Sequence, residues 1–227
     1  MKNLLKILLL TVTLSLPLFS AMNDNPLRVT FMAEEFEYQF NDEKSTNWDI
    51  NAYIGYDLDK IYIYSEGEKP KGAKATSENQ LLYSRAIAPY WDIQFGIDYD
   101  KAPQADKTWG VIAIQGLAPY FFETRTVILI GEGGNIGLRA EAKYEALITQ
   151  KLILAPSISL SAYTKDDEKM DIGSGFSNLK LGMRLRYEII REFAPYIGIE
   201  WNNNLGKTDD FSNLNETYVT IGLRVWF

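Results

Sequence analysis

Apolar and polar residues alternate through segment after segment of this 227-residue chain. A period of two places successive side chains on opposite faces of a β-strand. The last segment is the clearest: Val219, Ile221, Leu223, Val225 and Phe227 share one face, and Thr220, Gly222 and Arg224 the other. Residues 178–189 repeat the pattern, with Leu179, Leu181, Met183, Leu185, Tyr187 and Ile189 against Lys180, Arg184, Arg186 and Glu188. Residues 136–146 are rich in the helix formers Ala, Glu, Lys and Arg. On a helix, however, their charges would scatter around the axis and leave no apolar stripe, whereas as a strand Ile136, Leu138, Ala140, Ala142 and Tyr144 line up on one side.

The same reading gives segments near 28–40, 46–56, 60–67, 79–87, 90–99, 108–117, 120–130, 135–146, 151–163, 178–189, 193–203 and 216–227. Twelve is an even number, and each segment is close to the roughly 9–11 residues a tilted strand needs to cross a bilayer. With both termini on one side, the connections sort by length. Asp57–Asp59, Ala88-Pro89, Ala118-Pro119, 147–150 and 190–192 are short, and the opposite set, 41–45, 67–77, 100–107, 131–134, 164–177 and 204–215, is generally longer. Short periplasmic turns and longer external loops are the pattern of outer-membrane barrels. The predicted fold is all-β: a transmembrane antiparallel up-and-down β-barrel of twelve strands.

Smaller signals agree. Ala-Pro-Tyr occurs at 88–90, 118–120 and 194–196, each where a strand leaves a short turn, and Ala155-Pro156 lies a few residues into another strand. Proline is tolerated at strand starts and bulges, and the adjoining tyrosines are expected at the membrane interface or rim. The chain ends on Phe227, similar to the terminal aromatic of barrels inserted by the outer-membrane assembly machinery.

Residues 1–21 read differently. Lys2 and Lys6 flank the start of the apolar stretch Leu4–Leu18, followed by the small residues Ser20 and Ala21, the layout of a secretory signal peptide. The expected organisation is a signal peptide over 1–21 and an outer-membrane barrel over 22–227. Removing Lys2 and Lys6 takes the formal charge from −7 to −9.

Composition narrows the chemistry. The chain has no His and no Cys, which excludes Ser-His-Asp and Cys-His catalysis, imidazole metal sites and thiolate clusters. Its acidic balance argues against nucleic acid as a partner. An enzyme is not expected, since lipases and proteases on similar barrels usually depend on His.

If the apolar row of each strand meets lipid, the polar row faces the lumen. That row is predicted to hold Glu35, Glu37, Asp49, Lys60, Glu66, Arg85, Asp92 and Asp98 in the first half of the chain. The second half adds Glu123, Arg125, Arg139, Glu141, Lys143, Glu145, Lys180, Arg184, Arg186, Glu188, Glu200 and Arg224. Opposite charges on neighbouring strands stabilise a sheet and can also set which ions pass. Twelve strands imply a narrow lumen.

The run Gln80–Tyr99 (QLLYSRAIAPYWDIQFGIDY) resembles a signature stretch of the copper resistance protein B family. Gln115–Glu123, Thr149–Pro156, Arg184–Gly198, Lys165-Asp-Asp-Glu168 and Gly173-Ser-Gly175 match as well, so the resemblance runs from about residue 35 to 227. It implies an outer-membrane barrel of copper tolerance, with outer-membrane lipid, copper ions and periplasmic copper proteins as partners and copper ion as the associated cofactor. Many members carry a Met- and His-rich segment before the barrel. Here about ten residues separate the signal from the first strand, offering Met22, with Met32 following in that strand, and no His. Thioether sulfur suits Cu(I), and carboxylates take Cu(II) less selectively, so Met22 and Met32 are the candidate metal ligands, while Met183 faces lipid and Met170 lies in a loop.

The expected function is binding or passing copper ions through a narrow charged lumen in the outer membrane of a Gram-negative bacterium. The alternative is a channel for another small solute, or a structural barrel plugged by its own ion pairs.

Overall fold

A computed structural model describes residues 25–41 and 44–227; the segment read as a signal peptide, and Met22, lie outside the described residues. Twelve antiparallel strands form a closed barrel. They are β1 (Arg28–Gln39), β2 (Thr46–Gly55), β3 (Asp59–Lys69), β4 (Thr76–Ala88), β5 (Trp91–Lys101), β6 (Asp106–Ala118), β7 (Phe122–Ile130), β8 (Ile136–Lys143, resuming at Ala146–Leu147), β9 (Leu152–Tyr163), β10 (Gly175–Tyr187), β11 (Phe193–Asn204) and β12 (Asn215–Trp226). Each pairs with the next, and β1 pairs with β12 from Met32 opposite Trp226 to Gln39 opposite Thr220. No sheet edge is left, which is what hydrocarbon requires of a spanning β-structure. The Phe227 ring stacks on Phe31 with centroids 5.1 Å apart, fastening the chain's end to the first strand.

The alternation decides what faces out. Ile61, Ile63, Leu81, Phe95, Ile97, Ile112, Ile128, Ile197, Ile199, Val219 and Ile221 are exposed on the outer wall, as a lipid-facing belt must be. Burial instead collects inside. A cluster of Tyr62, Leu82, Trp109, Val111, Ala113, Val127, Leu129 and Tyr163 coats one sector of the inner wall, and Ile172 folds in from the β9–β10 loop to join it.

Two irregularities matter for the interior. In β1 the register shifts between Ala33 and Glu35 against β2, a bulge in which two residues oppose one. Glu34 and Glu35 therefore both reach the lumen, and below the bulge Met32 faces inward. In β8 the strand breaks at Tyr144-Glu145 opposite Pro156. Proline has no N–H to donate, so the ladder keeps only the Tyr144 amide to the Pro156 carbonyl, 3.0 Å.

Two short loop elements lie at the loop end of the barrel. A one-turn 3-10 helix (Glu168–Met170) leads to Ile172, and a short α-helix, α1 (Lys207–Phe211), packs beside it. The Gly173 amide and the Ser177 hydroxyl both meet the buried Thr208 hydroxyl at 2.8 Å. Lys107 at the top of β6 pairs with Asp167 at 2.7 Å and lies over the Trp109 ring.

Candidate functional site: the charged lumen

The lumen holds a cavity of about 1110 Å³ that extends from the turn residues Asp57 and Ala88–Tyr90 up to the level of Glu78, Arg139 and Tyr163. Its wall is built from the inward rows, and three of its cations, Arg184, Lys143 and Arg139, each sit among three carboxylates.

In the middle, Arg184 of β10 reaches Glu35 at 2.7 Å, Glu37 at 3.1 Å and Glu200 at 2.9 Å. Two phenols complete the group: Tyr196 donates to Glu37 at 3.0 Å and Tyr218 to Glu200 at 2.7 Å. Across the bore, Lys143 lies 3.2 Å from Asp49, 2.9 Å from Glu141 and 3.9 Å from Glu35. Nearer the loops, Arg139 holds Glu78 at 2.8 Å, Asp98 at 2.8 Å and Asp100 at 2.7 Å, with Tyr163 accepting from its Nε. Gln80 and Trp109 donate to the same two aspartates. These three cations face eight different carboxylates, because Glu35 is shared.

Toward the turn end, Arg224 pairs with Glu34 at 2.9 Å and lies 3.7 Å from the Met32 sulfur, while Arg186 pairs with Glu145 at 2.5 Å and approaches Glu188 at 3.7 Å. Lys60 pairs with Asp92 at 3.3 Å, and Lys180 approaches Glu66 at 3.7 Å. Arg125 bonds Gln80 and stacks over Tyr64, whose hydroxyl donates to Gln115 at 2.8 Å. Glu123 lines the cavity without an ion pair among those found in the described residues.

The predicted lumen residues are thus together on one wall surface, with one exception. Arg85 points outward: its inward neighbours are Ser84 and Ala86, it is half-exposed, and it pairs with Asp59 on the outer surface at 3.0 Å. The reason is parity. Gln80, Leu82 and Ser84 fix the even-numbered row of β4 as the inner one, and the run around Arg85 mixes apolar and polar residues on both faces. Tyr196 corrects a second expectation. Tyr90 and Tyr120 stand exposed at turns, with φ of 67° and 68°, but Tyr196 is buried in the lumen against Glu37. The shared Ala-Pro-Tyr phrase therefore has two different uses.

Sequence reasoning missed Glu34, Glu78 and Asp100. Asp100 continues the inward row of Asp92 and Asp98 one position past the predicted strand end, and Glu78 precedes Gln80 in the same way. Longer strand limits would have recovered both. Glu34 depends on the bulge, which alternation does not reveal. Of the methionines, Met183 is exposed on the lipid face as expected, and Met170 packs against the inner apolar cluster. Among the described residues no group of three or more His, Cys, Asp and Glu side chains is arranged to hold a metal ion.

Comparison with known proteins adds a family. The model described as Copper resistance protein B precursor (CopB) matches residues 27–227. Copper resistance protein B of Escherichia coli is 38% identical over 213 residues, spanning 91% of this chain and 72% of its own length. A Copper resistance protein B homolog of Pseudomonas syringae pv. tomato is 36% identical over 212 residues with the same shares. Among solved structures, the barrel is similar to the NanC porin, with a TM-score of 0.57 and 12% identity over 87% of this chain and 99% of that one. The KdgM porin gives 0.55 at 12% identity over the same shares. At such identities these two carry the fold alone.

Proposed function

The chain belongs to the copper resistance protein B family, and from that premise we propose that its lumen binds and passes copper ions as cargo. It is a copper-resistance barrel of the Gram-negative outer membrane. The short turns and both termini are assigned to the periplasm and the long loops to the exterior, as in other barrels of this class.

The observation that carries the reading is the acid excess along the bore: Arg184, Arg139 and Lys143 are each surrounded by carboxylates that outnumber them. A row of such carboxylates lowers the electrostatic barrier to a cation. The tethered guanidinium and ammonium groups act as competing counter-ions, so no single carboxylate set becomes a trap. Conduction needs sites strong enough to admit an ion and weak enough to release it. The ion path proposed here runs past Glu123, Arg224, Glu145, Arg186 and Glu188 near the turns, and past Glu35, Glu37, Glu200, Arg184, Glu141 and Arg125 in the middle. It then reaches Asp98 and Arg139 under the loops, while Asp92, the second residue of β5 and paired with Lys60, lies at the turn-end entrance. The carboxylates suit Cu(II), and the inward Met32 sulfur offers a softer contact at the turn end, where Arg224 already lies 3.7 Å away. The role is read as non-enzymatic, supported by the family and by a chain without His.

The test is ion flux in vesicles carrying the purified mature barrel. Copper should enter faster than into protein-free vesicles, and Glu35→Gln with Glu141→Gln should slow it several-fold. Flux indistinguishable from empty vesicles, with no copper retained by the protein, would show a barrel plugged by its own ion pairs.

A further inference from the structure

The loop end of the barrel is divided by charge. The loops after β9 and β11 carry six acids, Asp166, Asp167, Glu168, Asp171, Asp209 and Asp210, against Lys165, Lys169 and Lys207, whereas the β3–β4 loop and the ends of β3 and β5 carry Lys69, Lys71, Lys74 and Lys101 against Glu68 and the lumen-facing Asp100. This basic sector stands out in a chain of formal charge −7. All four lysines are exposed. Lys60, Lys143 and Lys180 inside the barrel each face a carboxylate, but none of these four has an ion pair among those found in the described residues. Asp106, opposite Lys101 in register, is taken instead by the Tyr99 hydroxyl at 2.5 Å.

The sector is held in shape. Pro70–Ala73 forms a turn closed by the Ala73 amide on the Pro70 carbonyl at 3.2 Å, with Gly72 at φ +87°, a conformation glycine adopts without strain. Lys74 Nζ donates to the Pro103 carbonyl at 3.2 Å, tying the β3–β4 loop to the β5–β6 loop. Pairing places Gly67, Ser77 and Lys101 in one row across three strands, and Lys69 is the next outward position on β3. Lys69 and Lys101 are thus two strand spacings apart, roughly 10 Å sideways. On the outer wall of these same strands, toward the middle of the barrel, lie exposed Ile63, Leu81 and Ile97 of the lipid belt.

Cations standing above a greasy wall, beyond the outward row of Ser65, Asn79 and Tyr99, fit a ligand that is anionic at its head and aliphatic at its tail. We propose that the β3–β5 sector is a docking surface for a phosphorylated glycolipid of the outer leaflet. Its acyl chains lie along Ile63, Leu81 and Ile97, and its phosphates meet Lys69, Lys71, Lys74 and Lys101. Juxtamembrane lysines gain attraction to anionic lipid that fades over a Debye length. The acidic loops on the far side would repel the same headgroup, so the protein's lipid shell is ordered on one flank.

The purified full chain in detergent micelles tests this by native mass spectrometry with three probes: diphosphorylated lipid A, the same lipid after dephosphorylation, and inorganic phosphate. Binding of the diphosphorylated lipid should be at least tenfold tighter than of the dephosphorylated one, and inorganic phosphate should not be retained. Substituting Lys69, Lys71, Lys74 and Lys101 together with Gln should remove that tenfold preference, while Lys165→Gln with Lys169→Gln on the acidic flank should leave it intact. Single Lys→Gln changes, each lowering affinity several-fold, give the answer if the fourfold variant does not fold. Equal binding after dephosphorylation, a preference that survives every substitution, or retention of inorganic phosphate as tightly as the lipid would each overturn the proposal.

Discussion

Arg184 shows how much a single side chain governs the bore. It is about nine-tenths buried and holds three carboxylates within 3.1 Å, so its charge is what makes Glu35, Glu37 and Glu200 tolerable as neighbours. Replacing one partner of a buried charged group is costly because the remaining charges lose compensation, typically by 3–5 kcal/mol or so. Arg184→Met should therefore destabilise the barrel by about that amount, read as a lower midpoint of urea unfolding in lipid vesicles. Glu200→Gln should cost less, since Arg184 keeps two carboxylates and Tyr218 still has an oxygen to donate to. A larger loss for Glu200→Gln than for Arg184→Met would mean that Tyr218 and Glu200, not the guanidinium, anchor the group.

The β9–β10 loop illustrates a contact whose strength depends on pH. Asp166 accepts from the Ser174 amide at 2.6 Å and from Lys207 of α1 at 3.1 Å, and these donors hold its carboxyl down at about 2, below its ordinary 3.8. A lowered carboxyl pKa means the stabilisation is complete above the ordinary value and is lost as pH falls through the lowered one. The junction between this loop and α1 should loosen between about pH 4 and pH 2. Protection of the Gly173 and Ser174 amides against hydrogen exchange, measured relative to the intrinsic rate at each pH, should fall across that window in the native chain and show no such step in Asp166→Asn. Nothing in the strand periodicity pointed to this junction. Alternation made the twelve strands, their faces and most lumen charges legible, because the barrel wall repeats one local rule and lipid enforces it. It failed where another constraint ruled: at the β1 bulge that turned Glu34 inward, on β4 where Arg85 fell on the outer face, and in the loop fold that sent Ile172 back to the inner apolar cluster. Those outcomes rest on register and long-range packing, which a period of two does not contain. Pro156 was visible as an oddity within a strand, but the break it imposes on β8 follows from the neighbour's lost donor and needed the pairing to be seen.

Taken together, the inner surface is a ladder of ion pairs in which carboxylates outnumber the central cations Arg184, Arg139 and Lys143, inside a closed wall whose lipid-facing belt is apolar. The eight carboxylates around Arg184, Arg139 and Lys143 leave the bore negative, so in a KCl gradient the reversal potential should report cation preference. Salt offers a control that separates field from shape. The Debye length shrinks from about 10 Å at 0.1 M to about 3 Å at 1 M, so a preference set by the summed field should weaken over that range. A preference set by direct ligation at one narrow point should persist. Lys143→Gln removes a cation that serves Glu35, Asp49 and Glu141 and should raise the cation preference, whereas Asp49→Asn with Glu141→Gln should lower it. If the open barrel preferred anions, or if these opposite substitutions shifted the reversal potential the same way, the bore's acid excess would not be what selects the ion. The route of a copper cation would then have to depend on a discrete contact such as Met32 at the turn end.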